Sequence, residues 1–108
     1  MPNSTKSSFD AIYNIVSRIP KGKVTTYKNV AILANIASPR FIGKALHNNT
    51  DPVRIPCHRV VRSNGSIAKG YAFGGEKKQK ELLKKEGVSF ITKDKVDLKK
   101  SLYYEIFS

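Results

Sequence analysis

Cys57 and His58 stand side by side between Pro56 and Arg59. A cysteine is a strong nucleophile only as its thiolate, so such chemistry first needs a base within reach. Two readings of the pair are open. A lone cysteine is commonly a small apolar filler of a core. Neighbours on an extended chain also point to opposite faces, which would keep the imidazole from the sulfur unless a water joins them. Cys57, His47 and His58 lack the paired spacings of a closed zinc site, so no metal and no cofactor is expected. Other polar residues have plain readings of their own. Glu86, beside Lys84 and Lys85, reads as a solvated charge at a helix end, and Asn49 as a turn residue. Tyr27 reads as a half-buried aromatic at a helix start, and Tyr71 as a loop aromatic between glycines.

These residues must be held by elements whose periodicity can be read. Phe9, Ile12, Tyr13, Val16 and Ile19 recur with helical spacing, so a helix is expected over about 8–18. Ser7 and Asp10 would form its capping box, and Pro20-Lys21-Gly22 its stop. Val24-Thr25-Thr26 is a short β-branched stretch. Thr25 or Thr26 then caps a second helix with Val30, Leu33 and Ala34 inward. Ser38-Pro39 reads as N-cap and first-turn proline of a third helix, running to about His47. Phe41, Ile42, Ala45 and Leu46 would face the core, with Arg40, Gly43, Lys44 and His47 nearer the outside. Two short helices joined by a tight turn suggest helix-turn-helix.

Beyond a polar loop at 48–52, residues 59–67 read as strand, turn and short return, a β-hairpin or wing. Gly70, Gly74 and Gly75 bracket Tyr71-Ala72-Phe73 in a loop. Residues 76–86 read as a helix with Leu82 and Leu83 inward and Gly87 at its stop. The tail, with Val88, Phe90, Leu98, Leu102, Tyr103 and Phe107, is apolar enough to pack on the domain. The expected fold is α-rich with a small β-hairpin: a winged-helix-like helix-turn-helix domain.

Composition bounds the function. With 108 residues, one domain spanning 1–108 is expected, and two domains or a repeat array are excluded. The longest apolar-leaning stretch, Val30–Ile36, is broken by Asn35 and falls far short of the roughly 20 residues a membrane span needs. No membrane partner is expected. One cysteine cannot form an internal disulfide, so the default compartment is the cytoplasm, or the nucleus in a eukaryote. The 20 Lys and Arg against 8 Asp and Glu leave a net charge of +12, which favours a polyanionic partner, nucleic acid first.

The stretch IPCHRVV (55–61), followed by GYAFGG (70–75) and LLKKEG (82–87), resembles the O6-alkylguanine-DNA alkyltransferase family. The resemblance extends back through GKVTTY (22–27) and PRFIGKAL (39–46) and covers roughly residues 7–90. It implies direct DNA repair by a monomer bound in the minor groove of duplex DNA carrying O6-alkylguanine, with O4-alkylthymine a further candidate. Cys57 would accept the alkyl group in a single-turnover, suicide reaction. His58 would take the thiol proton through a water, Glu86 would orient His58, and Asn49 would brace the preceding loop. Tyr27 would reach the base and donate a proton as guanine leaves. Val60, Tyr71 and Ala72 would line the pocket for the flipped base. Arg40 would fill the stack, and Gly43 and Ala45 would let the helix approach the groove, with Lys21, Lys23, Lys28, Lys44 and Arg62 near phosphates.

Two departures bear on this reading. Only about eight residues precede the first helix, so the N-terminal companion domain of many relatives is expected to be absent. The short build resembles the alkyltransferase-like proteins, which bind the same lesions without accepting the alkyl group, commonly with tryptophan at the cysteine position. Gln79 stands where the family usually has lysine, and Phe73 where many relatives carry tryptophan or a small residue. The readings carried forward are an alkyltransferase, a non-catalytic lesion-binding protein that flags damage, and a plain winged-helix regulator.

Overall fold

The computed structural model describes residues 4–107. Three helices form its N-terminal half: α1 (Ser4–Ser17), α2 (Tyr27–Leu33) and α3 (Pro39–His47). Ile12, Ile15, Val16 and Ile19 put one stripe of α1 and its exit against Val30 and Ala31 of α2 and Ile42, Ala45 and Leu46 of α3. Burial of that stripe drives their association. The predicted cap at Ser7 is overturned, because α1 already runs from Ser4 and Ser7 is interior to it. The Ser7 side chain lies outside the described residues.

The other two caps form as expected. Thr26 accepts from the Asn29 amide at 3.1 Å, and Ser38 from the Arg40 amide at 3.3 Å with Pro39 behind it. Between them Asn35 adopts φ +56°, a left-handed turn that asparagine tolerates, and Ile36 N–H reaches back to Ala31 O at 2.9 Å. That turn sets α2 and α3 as a helix-turn-helix.

The wing is built differently from the predicted hairpin. Arg59 belongs to a 3-10 turn, Cys57–Arg59, and only Val60–Val61 is strand (β2), paired in parallel with β1 (Thr25–Thr26). The 62–66 turn closes, with Arg62 N–H donating to Ser66 O at 3.0 Å, but its return leg does not pair with β2. It meets the tail: Val96 N–H donates to Gly65 O and Ile67 N–H to Asp94 O. Val60 and Val61 have no exposed surface. A two-stranded wing cannot cover both faces of such residues, so β2 pairs with the buried β1.

The tail carries the antiparallel hairpin, β3 (Phe90–Thr92) and β4 (Lys95–Val96), then α5 (Leu98–Ser101). It packs on the domain as predicted. Val24 donates to Ser101 O and accepts from the Tyr103 amide, which ties the tail along the segment leading into β1. A second cluster of Val24, Val61, Ile67, Leu83, Val88 and Val96 fills the space beneath. The last long helix, α4 (Gly75–Lys85), buries Leu83 and half-buries Leu82, and ends at Gly87 with φ +87°. No helix among the described residues is long and apolar enough to cross a membrane.

Candidate active site

Four segments converge on Cys57. The loop after α3 is braced by Asn49, whose side chain donates to Ile55 O at 2.9 Å and accepts from the Asp51 amide at 2.9 Å. Cys57 N–H then donates to Ile55 O at 2.7 Å, which starts the 3-10 turn. The backbone of this turn is coiled rather than extended, so the rule that sets neighbours on opposite faces of an extended chain does not apply to Cys57 and His58. Cys57 and His58 are both buried, at 4% and 6% exposed.

Glu86 is no solvated charge. As the C-cap of α4 it turns inward, and its Oε2 lies 3.0 Å from His58 Nε2. Arg59 grips the same carboxylate with two bonds, Nε to Oε1 at 3.0 Å and Nη2 to Oε2 at 2.7 Å. The Arg59 Nη1 donates to Ile19 O at 2.8 Å, anchoring the guanidinium to the end of the α1 segment. Burial pulls the Glu86 carboxyl up, but the hydrogen bonds from Arg59 and His58 outweigh it and hold the group below its ordinary range. An ionised carboxylate has no proton to give, so His58 must donate from Nε2. Burial pushes the His58 pKa down despite Glu86. The ring is therefore neutral near pH 7, with Nδ1 an acceptor that has no hydrogen-bond partner among the described residues.

Burial likewise pushes the Cys57 thiol up, while the Asn49 side chain and the local backbone pull it the other way less strongly. At rest the sulfur keeps its proton. The two tyrosines beside it are held neutral as well. Burial, with the Cys57 sulfur nearby, raises Tyr27 to about 12 against an opposing pull from Arg62. Tyr71 is raised to about 12 for the same leading reasons, with Glu86 adding to it. Tyr71 also meets the His58 ring edge-on, centroids 6.5 Å apart, and packs against Phe73.

Cys57, Tyr27, Tyr71, Ala72 and Gln79 line a cavity of about 20 Å³, room for about one water and far less than a purine. It adjoins a groove of about 1000 Å³ along α2, α3 and the 62–70 loop, sharing Tyr27, Gly43 and His47 with it. Lys28, Arg40, Arg62 and Lys69 line that groove and no acidic residue does. Lys21, Lys23 and Lys44 are not in its wall, and Lys23 instead donates to Lys100 O. A Cβ built on Gly43 would meet nothing within 4 Å, so nothing in the protein requires glycine there.

Two assignments are corrected. Ala45, assigned to the groove-facing set, has no exposed surface and packs in the core, its carbonyl accepting from Tyr13 Oη at 2.7 Å. Val60, assigned to the pocket, is also fully buried in the core, outside the wall of the cavity. Residue reasoning missed Arg59 as the partner of Glu86, and the burial of Gln79. An arginine directly after the candidate base was the available signal for the first. Among the described residues no three of His, Cys, Asp and Glu gather closely enough to hold a metal ion.

The chain is similar in sequence and fold to known proteins. The family model described as "6-O-methylguanine DNA methyltransferase, DNA binding domain" matches residues 7–88. A methylated-DNA–protein-cysteine methyltransferase of Methanothermobacter thermautotrophicus is 50% identical over 78 residues, covering 72% of this chain. The chain spans only 43% of that relative's length. Alkyltransferase-like protein 1 of Schizosaccharomyces pombe is 37% identical over 81 residues, 74% of this chain and 75% of that protein. The S. pombe protein's crystal structure with damaged DNA containing O6-carboxymethylguanine matches with a TM-score of 0.80 at 30% identity, over 91% and 95% of the two chains. The O6-methylguanine-DNA methyltransferase of Pyrococcus kodakaraensis matches with a TM-score of 0.62 at 34% identity, over 82% and 47%.

The titrations of His58 and Glu86 have a consequence for stability. The unfolded chain takes up the His58 proton near 6.5, before the folded protein does, so stability falls as the pH drops below that value. Glu86 stabilises above its ordinary 4.5, and that contribution is lost as pH falls through its lower folded value. The thermal midpoint should therefore fall on acidification in two stages. Glu86→Gln should shrink the lower stage, leaving the part due to Asp94, which Lys80 holds low. An acid profile unchanged in Glu86→Gln would contradict this assignment.

Proposed function

The chain belongs to the 6-O-methylguanine DNA methyltransferase DNA-binding family, and from that premise we propose that it repairs DNA by moving the alkyl group of O6-alkylguanine onto Cys57. The observation that carries the reading is the sole cysteine in the wall of a cavity beside a cationic groove, next to a neutral histidine whose free nitrogen can take a proton.

The steps follow from the residues. Duplex DNA lies along the groove, its phosphates near Lys28, Arg62 and Lys69, and Arg40 fills the gap left by the turned-out nucleotide. The base needs more room than the resting cavity offers, so the 71–74 segment moves, with glycines at both ends to absorb the change. The Cys57 proton passes to His58 Nδ1 through one water, and Glu86, braced by Arg59, stabilises the imidazolium. The thiolate attacks the alkyl carbon, the carbon–O6 bond breaks, and its electron pair stays on the guanine. Tyr27, which keeps its proton to about 12, donates toward that developing charge. The proton taken up by His58 returns through Tyr27 and water to the departing guanine, and the products are a thioether on Cys57 and restored guanine, one lesion per protein molecule.

A second reading, a lesion-binding protein without transfer, is favoured by one observation. The fold superposes on the S. pombe alkyltransferase-like structure with a TM-score of 0.80, against 0.62 for the P. kodakaraensis methyltransferase. Intact mass after incubation with a duplex holding one O6-methylguanine separates the two. Transfer predicts a stoichiometric gain of one methyl group, mapped to the Cys57 peptide and absent with unmodified duplex. Tight lesion binding with no mass change would move the assignment to the second reading.

The groove makes its own prediction. Gly43→Leu should leave the fold intact, since its Cβ meets nothing within 4 Å and the position lines the open groove, yet weaken duplex binding by roughly ten-fold or more. Unchanged affinity would remove α3 from the DNA interface.

A further inference from the structure

Gln79 is an amide with 1% of its surface exposed, in the middle of a helix whose other polar residues face solvent or its rim. Buried amides persist where they are satisfied, and this one is half satisfied in an informative way. Its Nε2 lies 3.0 Å from the His58 carbonyl oxygen and 3.1 Å from that of Val60. Two acceptors facing one atom orient the amide, because only nitrogen can donate to both. The Oε1 is buried and has no hydrogen-bond partner among the described residues. The internal bonds of the 3-10 turn run from Arg59 N–H to Pro56 O and from Val60 N–H to Cys57 O. The His58 carbonyl is left for Gln79.

Gln79 and Glu86 are seven residues apart, two helical turns, and so share the face of α4 that meets the turn. One rigid helix thus grips His58 twice, its backbone through Gln79 and its ring through Glu86. We propose that Gln79 is a positioning residue of the transfer centre, bridging the His58 and Val60 carbonyls so that the turn holds the Cys57 sulfur and the His58 ring in their working alignment. The proposal rests on the reading of Cys57 as the nucleophile. It extends that reading to a residue in the cavity wall that acts through the backbone of the turn.

The chain has a single cysteine, so iodoacetamide reports on Cys57 alone and without DNA. Gln79→Leu keeps the bulk and removes both donors, and Gln79→Lys keeps a group able to donate to both carbonyls. Two rates are measured across pH for each protein: carboxamidomethylation of Cys57, and methyl transfer from an O6-methylguanine duplex. Gln79→Leu should slow both at pH 7 by about ten-fold or more, since a small misalignment is costly to such a step. Its alkylation profile should lose the inflection due to His58, while affinity for the duplex stays within about two-fold. Gln79→Lys should restore the inflection.

A wild-type alkylation profile in Gln79→Leu would overturn the proposal, as would equal damage in both variants. Should Gln79→Leu not fold, Gln79→Lys decides: the inflection kept supports the bridge, the inflection lost overturns it. A wild-type protein that shows the inflection but transfers no methyl group would sink the transfer reading and leave the positioning role standing. Normal wild-type transfer with no effect of Gln79→Leu would sink the positioning role alone.

Discussion

The Arg59 guanidinium holds both oxygens of Glu86 and a backbone carbonyl of the α1 exit, and the chemistry of the site depends on that grip. A carboxylate withdrawn from water would ordinarily take up a proton, and burial alone pulls Glu86 that way. Paired with Arg59 it stays ionised, and an ionised Glu86 permits only one arrangement of the His58 proton. The imidazole donates from Nε2 and offers Nδ1. Without the arginine, an ion-pair partner would be missing from a largely buried carboxylate, which is strongly destabilising in general.

The fold supplies the remaining parts at fixed positions. Asn49 shapes the approach to Cys57, and the 3-10 turn frees Cys57 and His58 from the opposed faces of an extended chain. The α4 helix delivers Glu86 at its C-cap, where Gly87 and the Val88-to-Leu83 hydrogen bond end the helix and free the side chain to turn inward. The helix-turn-helix, meanwhile, sets Arg40 and Gly43 along a groove with cations and no acids in its wall. Charge and cavity are thus contiguous, sharing Tyr27 and Gly43. That is the arrangement a protein needs if it holds a polyanion and works on one of its bases.

Local physics made much of this legible from sequence. The stripe of α1, the caps at Thr26 and Ser38, and the glycine after α4 are short-range features, and all were readable. Pairing was not. The 62–66 turn looks like half of a hairpin, yet its return leg meets residues 94–96, a contact between segments some thirty positions apart that no local pattern encodes. At Ala45 helical spacing pointed to the core and the resemblance to the groove, and the core took the side chain; at Val60 the resemblance pointed to the pocket and the core again took it. Glu86 and Gln79 show the opposite error. Both sit at a lysine-rich helix that reads as solvated, and both turn inward because the 3-10 turn and the start of β2 present a cation and two carbonyls that need partners.

The protonation of His58 is the most direct test of the account, and it is readable by nitrogen-15 and proton NMR of the imidazole in the free protein at pH 7. The account predicts a neutral ring with its proton on Nε2, shared with Glu86, and Nδ1 unprotonated. A doubly protonated ring at that pH, or a neutral ring carrying its proton on Nδ1, would leave nothing to receive the Cys57 proton and would contradict it.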